Sequence, residues 1–275
     1  MRSAALAFLA CCAAAIAAQP AAARDNGGVI ALQTAPAALD PGAAYLLLRT
    51  STAKSGLFPI QHVFLRVPSD AELVAYQTAK KAAYDTALPK LTKQAKGGKV
   101  PTIDEFPFEY SGTPNTFVAE SGKFLEDGEM RTLLLQIPAG TYILYGSTLG
   151  KGGLVTCNCL GTVRFVAKAG MITDIGSLYV DKVHKPSPVP HLEDNLGPQM
   201  FQYGFIFGQA LVPADGTAPV PAALRALRIE RAEFSAVRQY YEPGAGNINR
   251  LAPVAGVLSY DKGRPVDVKT GKLAE

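Results

Sequence analysis

Cysteine, histidine and charge are all scarce in this chain of 275 residues, and each scarcity removes a class of function. Two of the four cysteines, Cys11 and Cys12, fall in the first apolar stretch, which leaves Cys157 and Cys159 for the rest of the chain. One neighbouring pair excludes a disulfide framework, so a hydrophobic core must hold the fold. His62, His184 and His191 are the only histidines, and none stands at the H-x-x-x-H spacing of a metal-binding helix. Charged residues make up 18% of the chain and the net charge is +4, too little to argue for nucleic acid. There is no G-x-S-x-G elbow and no internal repeat, and beyond the N-terminus no run approaches the ~20 apolar residues of a membrane span.

The N-terminus is different. Met1-Arg2-Ser3 is followed by an uncharged run from Ala4 to Ala18, then by a second alanine cluster ending at Ala23, and Arg24 is the next charge. A basic start, a short apolar stretch and small residues at the exit make residues 1–23 a cleavable secretory signal, with cleavage after Ala17 or Ala23. A retained anchor would need a longer and more apolar run. Lipid attachment at Cys11 would call for Leu three places earlier, where Phe8 stands. The expectation is export to the periplasm or cell envelope of a bacterium.

Glycine and proline are spread along the mature chain, as suits many short strands joined by turns. Gly27 to Thr34 reads as a first strand. Ala43 to Arg49 is a nearly continuous apolar run typical of a central strand, with Ile60 to Val67 as its expected hairpin partner. The pattern then becomes helical. Ser69-Asp70-Ala71-Glu72 is a capping box, and Leu73, Tyr76, Ala79, Ala83, Ala87 and Leu91 recur at helical spacing before Gly97-Gly98. Pro89 predicts a kink or a restart. Strands resume at Thr116 to Glu120. Two hairpins are expected at 131–148, about Pro138-Ala139-Gly140, and at 161–180, about Lys168-Ala169-Gly170. His184 to Pro198 is a Pro-rich connection. Phe201 to Gln209 reads as a strand, Pro221 starts a short helix, Leu227 to Val237 leans to strand, and Gly256 to Val268 closes as a hairpin about Asp261-Lys262-Gly263.

Pro138-Ala139-Gly140-Thr141-Tyr142-Ile143-Leu144, with Phe165 to Gly170 and Ile172 to Leu178, resembles a phrase of exported bacterial β-sandwich domains of the prealbumin-like or carboxypeptidase-regulatory-like kind. The glycines would close turns while Tyr142, Leu144, Phe165, Ile172 and Leu178 alternate into an intersheet core. The resemblance covers turns and packing rather than chemistry, and it implies a role in binding, spacing or stabilising a partner.

Cys157-Asn158-Cys159 is the spot with most chemical potential. On an extended strand the two side chains would lie about 7 Å apart. A disulfide brings the Cβ atoms to about 4 Å, so a bridge would need a bulge or turn, and would be strained and readily reduced. The alternatives are a buried or bridged structural pair, a soft-metal site completed by His184, His191 or a methionine, or a redox pair. Other matches fail in context. Ser51-Thr52-Ala53-Lys54 and Lys269-Thr270-Gly271 echo penicillin-recognising enzymes, but the first follows a strand and the second sits at the C-terminus. Gly146 to Gly152 is one residue short of a phosphate loop. Tyr76 and Lys80 have dehydrogenase spacing without a dinucleotide loop. The lysine-rich helix, with Lys80, Lys81, Lys90, Lys93, Lys96 and Lys99 set against Asp85, could meet lipid headgroups, but a solvated face packing on the sandwich is the expectation.

The fold class is therefore mainly β: an immunoglobulin-like or prealbumin-like β-sandwich over 24–184 with a helical insertion at about 69–97. Residues 185–275 would form a Pro-rich connection and a C-terminal segment packed on it. The expected function is a non-catalytic envelope binding or structural module without cofactor, its partner another envelope protein or surface component. The alternative is a periplasmic soft-metal- or thiol-handling protein using Cys157 and Cys159, and the third reading is a hydrolase without an identifiable motif.

Overall fold

The computed structural model of the chain describes residues 29–51, 60–112, 115–119, 124–127, 130–149, 155–182, 207–217, 219–238, 240 and 247–275. Residues 1–23, expected to be an export signal, Cys11, His184, His191 and the Pro-rich connection lie outside the described residues. Two seven-stranded sheets face each other, and a small three-stranded sheet completes the described fold. The first sheet runs in the order β1 (Ile30–Leu32), β6 (Met130–Pro138), β2 (Ala43–Ser51), β10 (Ile172–Lys182), β11 (Phe207–Val212), with β5 (Leu125–Asp127) on β6 and β12 (Ile229–Arg231) on β10. The second runs β13 (Ser235–Val237), β9 (Thr162–Ala167), β7 (Gly140–Leu149), β3 (Ile60–Arg66), β4 (Thr116–Ala119), with β8 (Val155–Cys157) on β7 and β14 (Asn247–Ile248) on β8. The third joins β15 (Leu258–Asp261), β16 (Arg264–Asp267) and β17 (Lys272–Leu273). This is the mainly-β sandwich with a helical insertion that the pattern predicts.

Alternation builds the core. Ala44, Leu46 and Leu48 of β2, with Leu133, Leu135 and Ile137 of β6, face Phe64 of β3, Tyr142 and Leu144 of β7, and Val163 and Phe165 of β9. The rings interlock: Phe165 packs edge-on against Phe64 at 6.3 Å and against Phe234 at 5.7 Å, and stacks on Tyr142 at 5.9 Å. The Tyr142 hydroxyl donates to the Pro138 carbonyl at 2.6 Å, so the ring is buried without an unpaired polar tip. The outer face of the first sheet is also covered, because Tyr45, Leu47, Leu134 and Ile172 pack under Leu224 and the partly buried Val220, Leu227 and Ile229. Burial on both faces is why residues 43–49 are apolar without a break. The C-terminal region does more than lie on the sandwich, since it supplies β11 and β12 to one sheet and β13 and β14 to the other.

Three pairings differ from the sequence reading. β3 is not the hairpin partner of β2; it pairs with β4 and β7 in the opposite sheet. The turns at 138–140 and 168–171 do not close hairpins. Each carries the chain from one sheet to the other, β6 to β7 and β9 to β10, while β10 pairs in parallel with β2. An arch between sheets and a hairpin within one put the same alternate residues into the core, so their sequence patterns coincide.

The helix α1 (Asp70–Ala95) is continuous through Pro89, without a restart. Pro89 cannot donate to the Asp85 carbonyl, but both residues are exposed, and water can satisfy an exposed carbonyl. Ser69 caps the N-terminus as expected, and Lys96 in a left-handed conformation caps the C-terminus before Gly97.

Candidate functional site

Three places in the described residues concentrate polar or reactive groups: the cysteine turn, a buried histidine and the helical arm.

The Cys157–Cys159 pair is closed as a disulfide, with the two Cα atoms 5.1 Å apart. The chain leaves the extended path after β8 to allow this, through a turn in which the Asn158 N–H donates to the Tyr145 carbonyl at 2.6 Å and the Gly161 N–H to the Asn158 carbonyl at 3.1 Å. Both cysteines are fully buried on the outer face of the second sheet, clustered with Val63 and Tyr145 beneath Tyr240 and Ile248. The C-terminal segment fastens onto this turn by backbone bonds: Asn249 N–H to the Cys157 carbonyl at 2.7 Å, and Tyr240 N–H to the Cys159 carbonyl at 2.7 Å. Sulfurs bonded to each other and buried under a ring offer no thiolate to a metal or a substrate. Among the described residues no three His, Cys, Asp or Glu side chains gather to hold a metal ion.

His62 lies 2% exposed on the inward face of β3, two residues before Phe64. Its Nε2 and the Thr50 hydroxyl of β2 are 2.8 Å apart, a hydrogen bond that joins the two sheets. Its Nδ1 has no protein partner among the described residues. Burial pushes its pKa down from 6.5 to about 4, so the ring is neutral at physiological pH. On the opposite, outer face, Arg49 of β2 grips Asp174 of β10 through two bonds of 2.8 and 3.1 Å, and Asp174 also accepts the Gly176 N–H at 2.9 Å. The two Arg49 bonds tie the neighbouring parallel strands β2 and β10 together and the Gly176 bond holds the local irregularity of β10, which is a structural role for a buried ion pair.

The third place is the arm. None of the residues of α1 is buried, and no residue from 70 to 112 joins a buried cluster of the sandwich. The expected packing of this helix on the sandwich is thus not what forms. Its half-buried stripe instead faces the returning chain: Tyr84 packs edge-on against Phe106 at 5.6 Å, and Tyr76 contacts Phe108 and Tyr110 at 5.8 and 5.4 Å. The Tyr84 hydroxyl donates to the Pro101 carbonyl at 2.9 Å. At the base, Arg66 at the end of β3 holds Glu72 through its two terminal guanidinium nitrogens, Nη1 and Nη2, and the Ser69 N–H donates to the same carboxylate at 2.8 Å. The Arg66 hydrogen bond, reinforced by Ser69, lowers the Glu72 pKa to about 2. A charged, charge-assisted joint therefore connects arm to sandwich.

Of the sequence motifs set aside on context, Thr52 to Lys54 and Gly150 to Gly152 lie outside the described residues, and the others have ordinary places. Lys269 of the K-T-G match donates to the Phe234 carbonyl at 2.9 Å in a C-terminal turn, and Tyr76 and Lys80 lie on α1. The arm as a stand-alone unit was not read from the sequence. Its signal is Phe106-Pro107-Phe108-Glu109-Tyr110, where every second residue is aromatic, as an extended segment with one apolar side requires. Set against protein-family models, curated proteins and solved structures, the chain matches none of them.

Proposed function

We propose that this chain is an exported, non-catalytic binding or structural module of a bacterial cell envelope, and that the arm of residues 69–112 is the surface that meets its partner. The observation that carries the reading is a 26-residue helix with no buried residue, held at one end by Arg66 and, among the described residues, backed only by its own return segment. A helix that adds nothing to the core has a face to spare for another molecule. Export is supported by the composition of residues 1–23 and by a disulfide, a bond that persists in oxidising compartments. The rival reading, metal or thiol handling at Cys157 and Cys159, needs sulfurs that are free and reachable.

The test uses two exposed valines, Val74 on the arm (65% exposed) and Val166 on β9 (51% exposed). Each is replaced in turn by a photo-crosslinking amino acid in the full chain, expressed in a bacterium that exports it. Adducts from position 74 and none from position 166 are expected. Adducts from position 166 alone would move the binding surface to the sandwich and overturn the assignment.

A further inference from the structure

We infer that the far end of the arm docks on an anionic, phosphate-bearing membrane surface through Lys90, Lys93 and Lys96; this rests on the reading of the arm as the binding element and names its partner. Between Thr86 and Ile103 the chain holds Lys90, Lys93, Lys96 and Lys99 and no acidic residue. Lys81 is paired with Asp85, and at the return Lys99 with Glu105, while Lys80 is half-buried and has no carboxylate partner among the described residues. Lys90, Lys93 and Lys96 are exposed and have no carboxylate partner among the described residues.

Their placement is one-sided. At about 100° per residue, Lys90, Lys93 and Lys96 span an arc of about 120° centred opposite the half-buried stripe of Leu91, Leu88 and Tyr84, of which Tyr84 packs on Phe106 of the return segment. The three ammonium groups thus form the outward face of the last turns. Lysines also favour a helix C-terminus because of its dipole, but that end carries only about half a negative charge. Three unpaired charges exceed what it can balance, so the tip stays positive.

The kind of surface follows from what accompanies the lysines. They are flexible point charges without the planar fork of arginine, and the tip has no aromatic ring for stacking on a base or wedging into a lipid core. Compact cations on a convex end suit a diffuse array of negative headgroups better than one shaped site. Attraction of this kind adds with each lysine, by about fivefold in binding for each, and it is screened within about 10 Å as salt rises.

The experiment is co-sedimentation of the full mature protein with phosphatidylcholine vesicles, with and without phosphatidylglycerol. Three proteins are compared: wild type, the tip variant Lys90→Gln/Lys93→Gln/Lys96→Gln, and a control of equal charge, Arg225→Gln/Lys262→Gln/Lys272→Gln, altered at exposed sandwich positions. Gln and Lys are near-equal helix formers, and circular dichroism verifies that the helix is kept. Wild type should bind only vesicles with phosphatidylglycerol, and sodium chloride should release it. The tip variant should lose about 100-fold in binding while the control loses only a few-fold.

Equal losses in tip and control variants would mean that net charge alone matters, and would overturn the proposal. So would a tip variant that binds like wild type, or a wild type that ignores anionic vesicles at low salt. Release by inorganic phosphate well beyond sodium chloride of the same ionic strength would point to a single phosphate site and would overturn it as well. Protein adducts from position 74 with no vesicle binding would leave the arm reading standing and remove only the lipid.

Discussion

The sandwich and the arm cover apolar side chains in opposite ways. In the sandwich, β2 and β6 are buried on both faces, one against the opposite sheet and one beneath residues 219–231. In the arm, one stripe of α1 is half covered by a short extended return, and its other faces meet solvent. The first arrangement is cooperative, because each side chain touches several elements. The second is local, because the helix and its return depend mainly on each other. The difference teaches that the arm can open without the sandwich, and that a substitution in one should not be felt in the other.

The largest expected effect lies in the sandwich. Phe165 is 2% exposed and packs on three rings from two other strands and the C-terminal segment. Phe165→Ala should lower the free energy of unfolding by about 3–5 kcal/mol, because the cavity left among Phe64, Tyr142 and Phe234 cannot collapse. The measurement is urea denaturation followed by tyrosine fluorescence. A loss below 1 kcal/mol would mean that the ring cluster is not the centre of the fold. Amide exchange within α1 should stay unchanged in the same variant; faster exchange there would break the separation of the two regions.

Next in size is a response to acid that belongs to the sandwich alone. His62 has a folded pKa of about 4 against 6.5 when free. Between those values the unfolded chain carries the proton and the folded chain does not, so stability rises with pH across this window and falls as pH drops through it. The full cost, reached below pH 4, is about 3 kcal/mol at 1.36 kcal/mol per unit. His62→Gln, which can keep a bond to Thr50, should flatten the dependence between pH 6.5 and 4. An unchanged slope in the variant would show that His62 is not the group responsible.

These regions were unequally legible in the sequence. The core positions were mostly readable because alternation depends only on which side of a strand a residue occupies: Tyr142, Leu144, Phe165 and Leu178 lie in the intersheet core, whereas Ile172 packs on the outer face of its sheet, because an irregularity between Asp174 and Gly176 breaks the alternation of β10. Which sheet a strand joins was not, since the arches at Ala139 and Ala169 leave the same alternation as hairpins. The start of α1 was readable because a capping box is a contact between residues three apart, Ser69 and Glu72. The ion pair of Arg49 with Asp174 spans 125 residues, and the partner of Arg66 depends on where the arm leaves the sheet; neither separation carries a local signal. For Cys157 and Cys159 the sequence stated the condition, a turn, and the turn itself is set by Tyr145 and the C-terminal segment, far along the chain.

The smallest predicted effect belongs to the joint of the arm. Ser69 accepts the Glu72 N–H and positions the Glu72 carboxylate for Arg66, so Ser69→Ala should cost about 1 kcal/mol of helix stability. If the arm is local, that loss should speed amide exchange in the first turns of α1 and leave the urea midpoint of the sandwich unmoved. The acid response separates the regions further. Glu72 has a folded pKa near 2 against an ordinary value of 4.5, so its contribution is complete above 4.5 and is lost as pH falls towards 2. The sandwich therefore weakens from pH 6.5 to 4 while the cap still holds, and the cap fails only below that. Following exchange in α1 and denaturation of the sheets on one pH series would test this order. A cap that loosens together with the sheets between pH 6.5 and 4 would show that arm and sandwich are one cooperative unit.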